Sequence, residues 1–507
     1  MSIRKVDEID ELVNIDIFKE INGINEKPLD REVGRRSWRA LVDVGVFALF
    51  LLIICGLSFY LFYQQAMTDE SSLVYFSDMK VYVREMLGLE KDCFFPYRFY
   101  FQLGSLVYFF TKNPEVSMAF VTMFLNALSM VFVKLGFTKL HRNMYPSGTS
   151  VGSTKWLLGE LWLSLMTFVL FMVSMIFPPS SVTLPGIKHQ YLGVFSPTPW
   201  HNGTYLAARP FAILSFLWGV KLLDQYERVE IYHKNTRTLD KKVLGDYLFF
   251  ALVLFLSVYT KPSYMIVHLG AAGLVMVYRM VRSRFQNFWP TIWLGLCYIP
   301  TFIELWYQFV GVYAGGAGDS YSTLQGESGI GFGFAQVWLH YTDNLFLCLL
   351  LAGAFPLLVL CFHVKELKRN STFRFAWQIY AMGLLMNLIL YEQGAKKYDF
   401  NFCWGYMYGL FFAFFACIFL VYQDLDQWFG KLGALLTLGK NKDSLSSDTG
   451  EKTGISEAAK STGEVKAMAL SLLARGILIG MELSFLLAHF VCGAFFFYKL
   501  LGGAKYD

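Results

Sequence analysis

One carboxylate, Asp78, stands four residues before Tyr82 in the stretch LVYFSDMKVYVREMLGL (73–89). On a helix that spacing puts both side chains on one face. Cations are scattered further along: Arg98, then His201 and Arg209 in PWHNGTYLAARPF, Lys261 between two apolar runs, and Lys396 with Lys397 in YEQGAKKYDFNFCWGY. A carboxylate can take a proton from a hydroxyl, and cations such as these can hold an anion. Arg209 falls about one turn inside an apolar run. A charge at the bilayer centre costs ~2–3 kcal/mol unless it faces a site, a partner or the headgroups. Arg209 is therefore either a phosphate ligand or a snorkelling anchor. His201 is a lone loop histidine, ordinarily solvated. Lys396 and Lys397 form a dibasic pair in a compact aromatic loop, either on phosphate or in solvent. Glu304, in PTFIELWYQF, should face the bundle interior, lining the site or pairing with a cation. Glu392 is expected to pair with Lys396 and Lys397, and with Tyr82 it is a candidate to line the site. Glu482 and His489, seven apart, share a helix face suited to helix–helix hydrogen bonds.

The elements that must carry these residues are membrane helices. The chain has 507 residues, 55% hydrophobic and 18% aromatic, with only 16% charged. A soluble domain carries about 25% charge. Mean hydropathy is +0.42. This composition excludes a secreted disulfide scaffold, a disordered chain and an ordinary cytosolic enzyme. A net charge of +5 spread over loops gives no reason to expect nucleic acid. The eight Cys stand singly without CxxC spacing and read as small hydrophobes, so no metal ligand set is expected. Eleven apolar runs are long enough to span: 42–63, 116–137, 157–177, 206–225, 244–260, 263–281, 290–311, 345–363, 374–392, 402–423 and 477–498. Only Thr260, Lys261 and Pro262 separate the fifth and sixth, which predicts a tight hairpin.

Lys and Arg concentrate in the segments that are cytoplasmic if the N-terminus is inside, so a multi-pass cell-membrane protein with a cytoplasmic N-terminus and an extracytoplasmic C-terminus is expected. Residues 1–41 read as an amphipathic cytoplasmic lead ending in Arg35, Arg36 and Arg39. The polytopic domain covers 42–423, including the outer segment 64–115. Residues 424–466 read as a flexible cytoplasmic linker, and 467–507 as a last span with a short outer tail. The Gly-rich stretch 311–334 reads as an outer lid. The outer segment 64–115 is the elaborated one. Within it, Val74, Met79, Val81, Met86 and Leu87 form a stripe suited to headgroups, and Pro96–Phe110 is a helix too short to span.

The stretch Asp78, Tyr82, Arg84-Glu85-Met86-Leu87, followed by Phe95-Pro96-Tyr97-Arg98-Phe99-Tyr100, resembles the GT-C glycosyltransferase superfamily. The polytopic aminoarabinose and protein O-mannosyl transferases are members. The close similarity covers about the first 140 residues; beyond them only the topology is similar. The resemblance implies an all-α polytopic bundle with juxtamembrane helices in its first outer loop. It also implies transfer of a sugar from a polyprenyl-phosphate donor to a lipid, glycan or protein acceptor. Asp78 takes the position of the acid that binds or deprotonates the acceptor. Many members carry Asp-Glu or Asp-x-Asp here, where this chain has Ser77-Asp78-Met79. A divalent cation (magnesium or manganese) is thus a cofactor the resemblance permits without a ligand set. The alternatives are a flippase or transporter of lipid-linked saccharide, disfavoured by the lack of internal repeats, and a polysaccharide polymerase, which places its long loop late in the chain.

Overall fold

The computed structural model describes residues 31–69, 72–90, 95–145, 153–177, 184–228, 230–233, 236–313, 329–445 and 455–504. Most of the N-terminal lead, the core of the 311–334 lid, Cys93 and the middle of the expected linker lie outside the described residues. In chain order the helices are α1 (Arg31–Met67), α2 (Met79–Met86), α3 (Phe99–Thr111), α4 (Pro114–Asn143), α5 (Thr154–Met172), α6 (Gln190–Val194) and α7 (Gly203–Gln225). A hairpin of β1 (Tyr232–His233) and β2 (Thr238–Leu239) leads to α8 (Leu244–Thr260), α9 (Ser263–Arg282), α10 (Phe288–Leu296) and α11 (Ile299–Tyr313). Then come β3 (Ile330–Phe332), α12 (Trp338–Tyr341), α13 (Leu345–Phe362), α14 (Glu366–Arg369), α15 (Ser371–Ile389) and β4 (Leu390–Glu392). A 3-10 turn (Gly394–Asp399), α16 (Cys403–Leu445) and α17 (Ile455–Leu501) complete the chain.

The fold is a helical bundle with only two short strand pairs, and among the described residues eight helices are long and apolar enough to cross a membrane: those in α1, α4, α5, α7, α9, α13, α16 and α17. Large apolar side chains face outward, among them Leu52 (68% exposed), Trp306 (68%) and Phe346 (72%). Such a surface suits lipid and not water. The other three expected spans differ. α8 is apolar but has 17 residues, and α15 carries Arg374, Gln378 and Asn387 among its apolar residues. The run 290–311 breaks into α10 and α11 because Pro300 has no amide hydrogen to continue the ladder.

α16 is the central mast, and residues 403–422 are buried without interruption. α15 lies against it at backbone contact: a Cβ on Gly409 would meet Tyr380 Cα at 2.7 Å, and one on Gly383 would meet Gly405 O at 2.8 Å. Small residues at such crossings are how membrane helices approach closely. The expected linker is mostly helix, because α16 continues to Leu445 and α17 begins at Ile455. Leu425 and Trp428 pack on the core, and Trp428 Nε1 donates to Leu472 O (2.8 Å), which holds the two extensions together.

The helix ends near residues 67, 114, 203, 260, 263 and 403 meet at one end of the bundle, where the longer loops also gather. Gln65 donates to Trp200 O (3.3 Å), Trp200 packs on Phe497, and Tyr75 N donates to Gly503 O. β3 pairs antiparallel with β4 (Ile330 with Glu392, Phe332 with Leu390). Arg39, near the start of α1, bonds Thr154 at the opposite end. At that opposite end Lys134 bridges Glu160 (2.6 Å) and Asp43 (3.1 Å), and His141 meets Glu160 (2.6 Å). These charges in apolar runs are paired in the interior, as burial requires.

Candidate functional site

Asp78 stands at the N-cap position of the short helix α2, at the loop-rich end. Its Oδ2 accepts from Tyr82 OH (3.1 Å), the expected i,i+4 partner, and from Asn202 Nδ2 (2.9 Å). The apolar face of α2 does not lie on headgroups as expected. Met79, Tyr82, Val83 and Met86 are buried against the bundle, and Tyr82 meets Tyr100 edge-on at 5.8 Å. Burial first, then the Asp78 charge, keeps the Tyr82 hydroxyl protonated well above its ordinary range, so it serves Asp78 as a donor.

Asn202 is the hub. It is the N-cap of α7, and its Oδ1 accepts from the Tyr205 amide (2.9 Å), as an N-cap does, and from Thr204 Oγ1 (2.8 Å). The same oxygen accepts from Lys261 Nζ (3.0 Å), which also donates to Thr204 Oγ1 (2.9 Å). Asn202 thus presents its amide nitrogen to the carboxylate and its oxygen to the ammonium. Lys261 occupies the turn between α8 and α9, the tight hairpin the sequence predicts. It is 6% exposed and lies 4.5 Å from the Trp404 ring centroid. Burial lowers its pKa to about 8, against the opposing pull of Asp78.

Arg98 caps α3. It is exposed, and its amide donates to Tyr259 O (3.1 Å), which sets it beside the end of α8 that leads into Lys261. His201 is only partly exposed, not the free solvated histidine expected. It sits between Tyr191 (4.7 Å) and Trp404 (5.8 Å), and desolvation, then Lys261 and His189, lower its pKa to about 3. It is neutral at physiological pH and adds no cation to the site. Arg209 is fully buried, 4.9–5.4 Å from the ring centroids of Phe411, Phe171 and Tyr205, with Nη2 3.5 Å from Pro197 O. Its guanidinium stands inside an aromatic box, so it does not snorkel to headgroups, and solvent does not reach it.

Glu392 does not pair with Lys396 and Lys397. Its carboxylate accepts from Tyr313 OH (2.7 Å) and Asn401 Nδ2 (2.5 Å). Lys397 lies over Tyr391 and Tyr398 instead. Desolvation, then the charges of Glu392 and Asp78, raise the Asp399 carboxyl to about 6 against the pull of Lys396. The 392–401 segment therefore borders the Asp78 site, and Trp404 Nε1 donates to Asn401 Oδ1 (3.4 Å) to join the two. Glu304 stands apart: half-buried on α11, it accepts from Gln308 Nε2 (2.8 Å), which also reaches Val258 O.

The structure thus brings together Asp78, Tyr82 and Lys261, with Arg98 and Lys396 at the margin, and leaves Arg209 and Glu304 elsewhere. Asn202, Thr204 and Trp404 were not anticipated. Asn202 had a signal, since Asn before Gly-Thr-Tyr is a helix-start residue. A carboxylate reachable from solvent beside a buried ammonium can take a proton from a hydroxyl and steady an adjacent anion. Comparison of the chain with models of known families, with curated proteins and with solved structures gives no match in any of the three.

Proposed function

We propose that this chain is a membrane glycosyltransferase of GT-C type that moves a sugar from a polyprenyl-phosphate donor to a hydroxyl acceptor. The observation that carries the reading is the Asp78–Asn202–Lys261 chain at the loop-rich end, under the two partial helices α2 and α3. Asp78 accepts the acceptor's proton as its oxygen attacks the anomeric carbon. The carbon–oxygen bond to phosphate breaks, and the polyprenyl phosphate leaves with the electron pair. Lys261 and Arg98 stabilise that anion, with Lys396 at the margin. Asn202 holds base and cation at a fixed separation, and attack opposite the leaving group inverts the anomeric centre. No metal ligand set accompanies Asp78 in this reading, so a divalent cation is not given a step.

The eleven-span topology belongs to the same proposal. Arg39 and Gly503 lie at opposite ends of the bundle, which supports an odd number of crossings. With the Lys and Arg bias, the loop-rich end is extracytoplasmic.

The test is to incubate purified protein with radiolabelled polyprenyl-phosphate hexoses and a lysate-derived acceptor pool. Label that moves to acceptor or water, with inverted anomeric configuration, supports the reading. Label that stays on the lipid for every hexose, while the lipid crosses proteoliposomes, would make the protein a carrier.

A further inference from the structure

At the end of the bundle opposite Asp78, three side chains from three helices converge. His363 follows α13, Asp424 belongs to α16 and Glu482 to α17. All three are nine-tenths or more buried. His363 Nε2 lies 2.9 Å from Glu482 Oε1 and 3.4 Å from Asp424 Oδ2, and one ligand atom from each residue falls within 4.8 Å of the others. Ligands bound tetrahedrally at 2.0–2.1 Å are separated by about 3.4 Å from one another. The three ligand atoms are near enough to one another to close around a single cation.

Hydrogen bonding leaves this cluster incomplete. A protonated Nε2 satisfies Glu482 Oε1, but Asp424 Oδ2 and Glu482 Oε2 are buried with no hydrogen-bond partner. Arg475 pairs with the other oxygen of Asp424 and so balances one carboxylate of the two. A buried carboxylate oxygen without a donor is costly. An imidazole nitrogen and two carboxylates are borderline-to-hard donors, the set that takes a divalent first-row cation.

We propose that His363, Asp424 and Glu482 bind a divalent transition-metal ion, with zinc the cation that fits the tetrahedral spacing, and that this ion is structural. Arg475 orients Asp424 as an outer partner does in metal sites. The ion fastens α17, the terminal helix, of whose apolar window only 28% is buried. α13 and α16 are what it is fastened to. The site lies away from Asp78 and does not depend on the transferase reading.

The test uses the full-length protein in lipid nanodiscs, stripped with EDTA and titrated with zinc chloride or manganese chloride. Elemental analysis after desalting should give about one zinc per chain, and zinc should raise the apparent Tm by several degrees. Glu482→Gln keeps the shape of the side chain and should weaken zinc binding by at least about tenfold while abolishing the Tm rise. His363→Ala should do the same. Failure of wild type to retain either metal, with a Tm indifferent to EDTA, would overturn the proposal and leave His363 hydrogen-bonded among the two carboxylates. Equal zinc retention by wild type and Glu482→Gln would overturn it as well.

Discussion

Replacing Lys261 by Met should stabilise the protein at neutral pH while it removes transfer. The ammonium is 6% exposed, and its pKa stands at about 8 against an ordinary 10.5. Protonating it in the fold is therefore costlier than in the unfolded chain, by about 3 kcal/mol once pH is below both values. Between pH 8 and 10.5 the unfolded chain binds the proton and the folded one does not, so stability rises with pH across that window. The cost is present in full at pH 7 and falls below about 1 kcal/mol at pH 10. Met fills a similar volume without charge. The oxygen it abandons, Asn202 Oδ1, keeps the Tyr205 amide and Thr204 hydroxyl as donors. Lys261→Met should then raise the apparent Tm by several degrees at pH 7, and its advantage over wild type should shrink steadily toward pH 10. Thermal unfolding in nanodiscs at pH 7, 8, 9 and 10, followed by intrinsic tryptophan emission, reads both. A Met variant that melts below wild type at pH 7, or whose difference does not change with pH, would refute the reasoning.

Arg209→Ala should lower stability by more than about 2 kcal/mol, because it empties the box of Phe171, Tyr205 and Phe411, yet leave donor affinity within twofold; a loss of affinity in a stable variant would return Arg209 to the site. His201 has its pKa at about 3, so His201→Gln should keep the shape of the pH–rate profile between pH 5 and 8, and a lost or displaced limb in that range would contradict its neutrality. Leu89 is 60% exposed at the loop-rich end, so Leu89→Cys with Cys93 and Cys361 replaced should react with an impermeant maleimide on intact cells; protection until lysis would invert the topology.

Much of the scaffold was legible because it rests on local chemistry. Lys261-Pro262 between two apolar runs makes the hairpin, the 96–110 stretch gives a helix (Phe99–Thr111) too short to span, and Asp78 with Tyr82 meets the i,i+4 rule across the start of α2. What local chemistry does not fix was misread. The stripe containing Met79 and Met86 is apolar whether it faces lipid or protein, and only the packing of α3 and α4 decides it. Arg209 looks like a site cation by its depth, but two of the three rings around it, Phe171 and Phe411, come from α5 and α16, distant in sequence. Glu392 was paired with the lysines nearest in the chain, whereas its partner Tyr313 lies 79 residues away. The link from Asp78 through Asn202 to Lys261 joins residues 124 and 59 apart, and no spacing rule reaches that far.

The central claim is that Asp78 is the base of a sugar transfer from a lipid phosphate. The direct measurement is turnover and donor affinity on the same preparation of Asp78→Asn and wild type, with the labelled polyprenyl-phosphate hexose that wild type uses. Asn preserves the shape and can still bond Tyr82, but it cannot accept the proton. The account predicts turnover reduced by about 10²–10⁴ with donor affinity and apparent Tm near wild type. Near-normal turnover with an unchanged pH dependence in Asp78→Asn would contradict it.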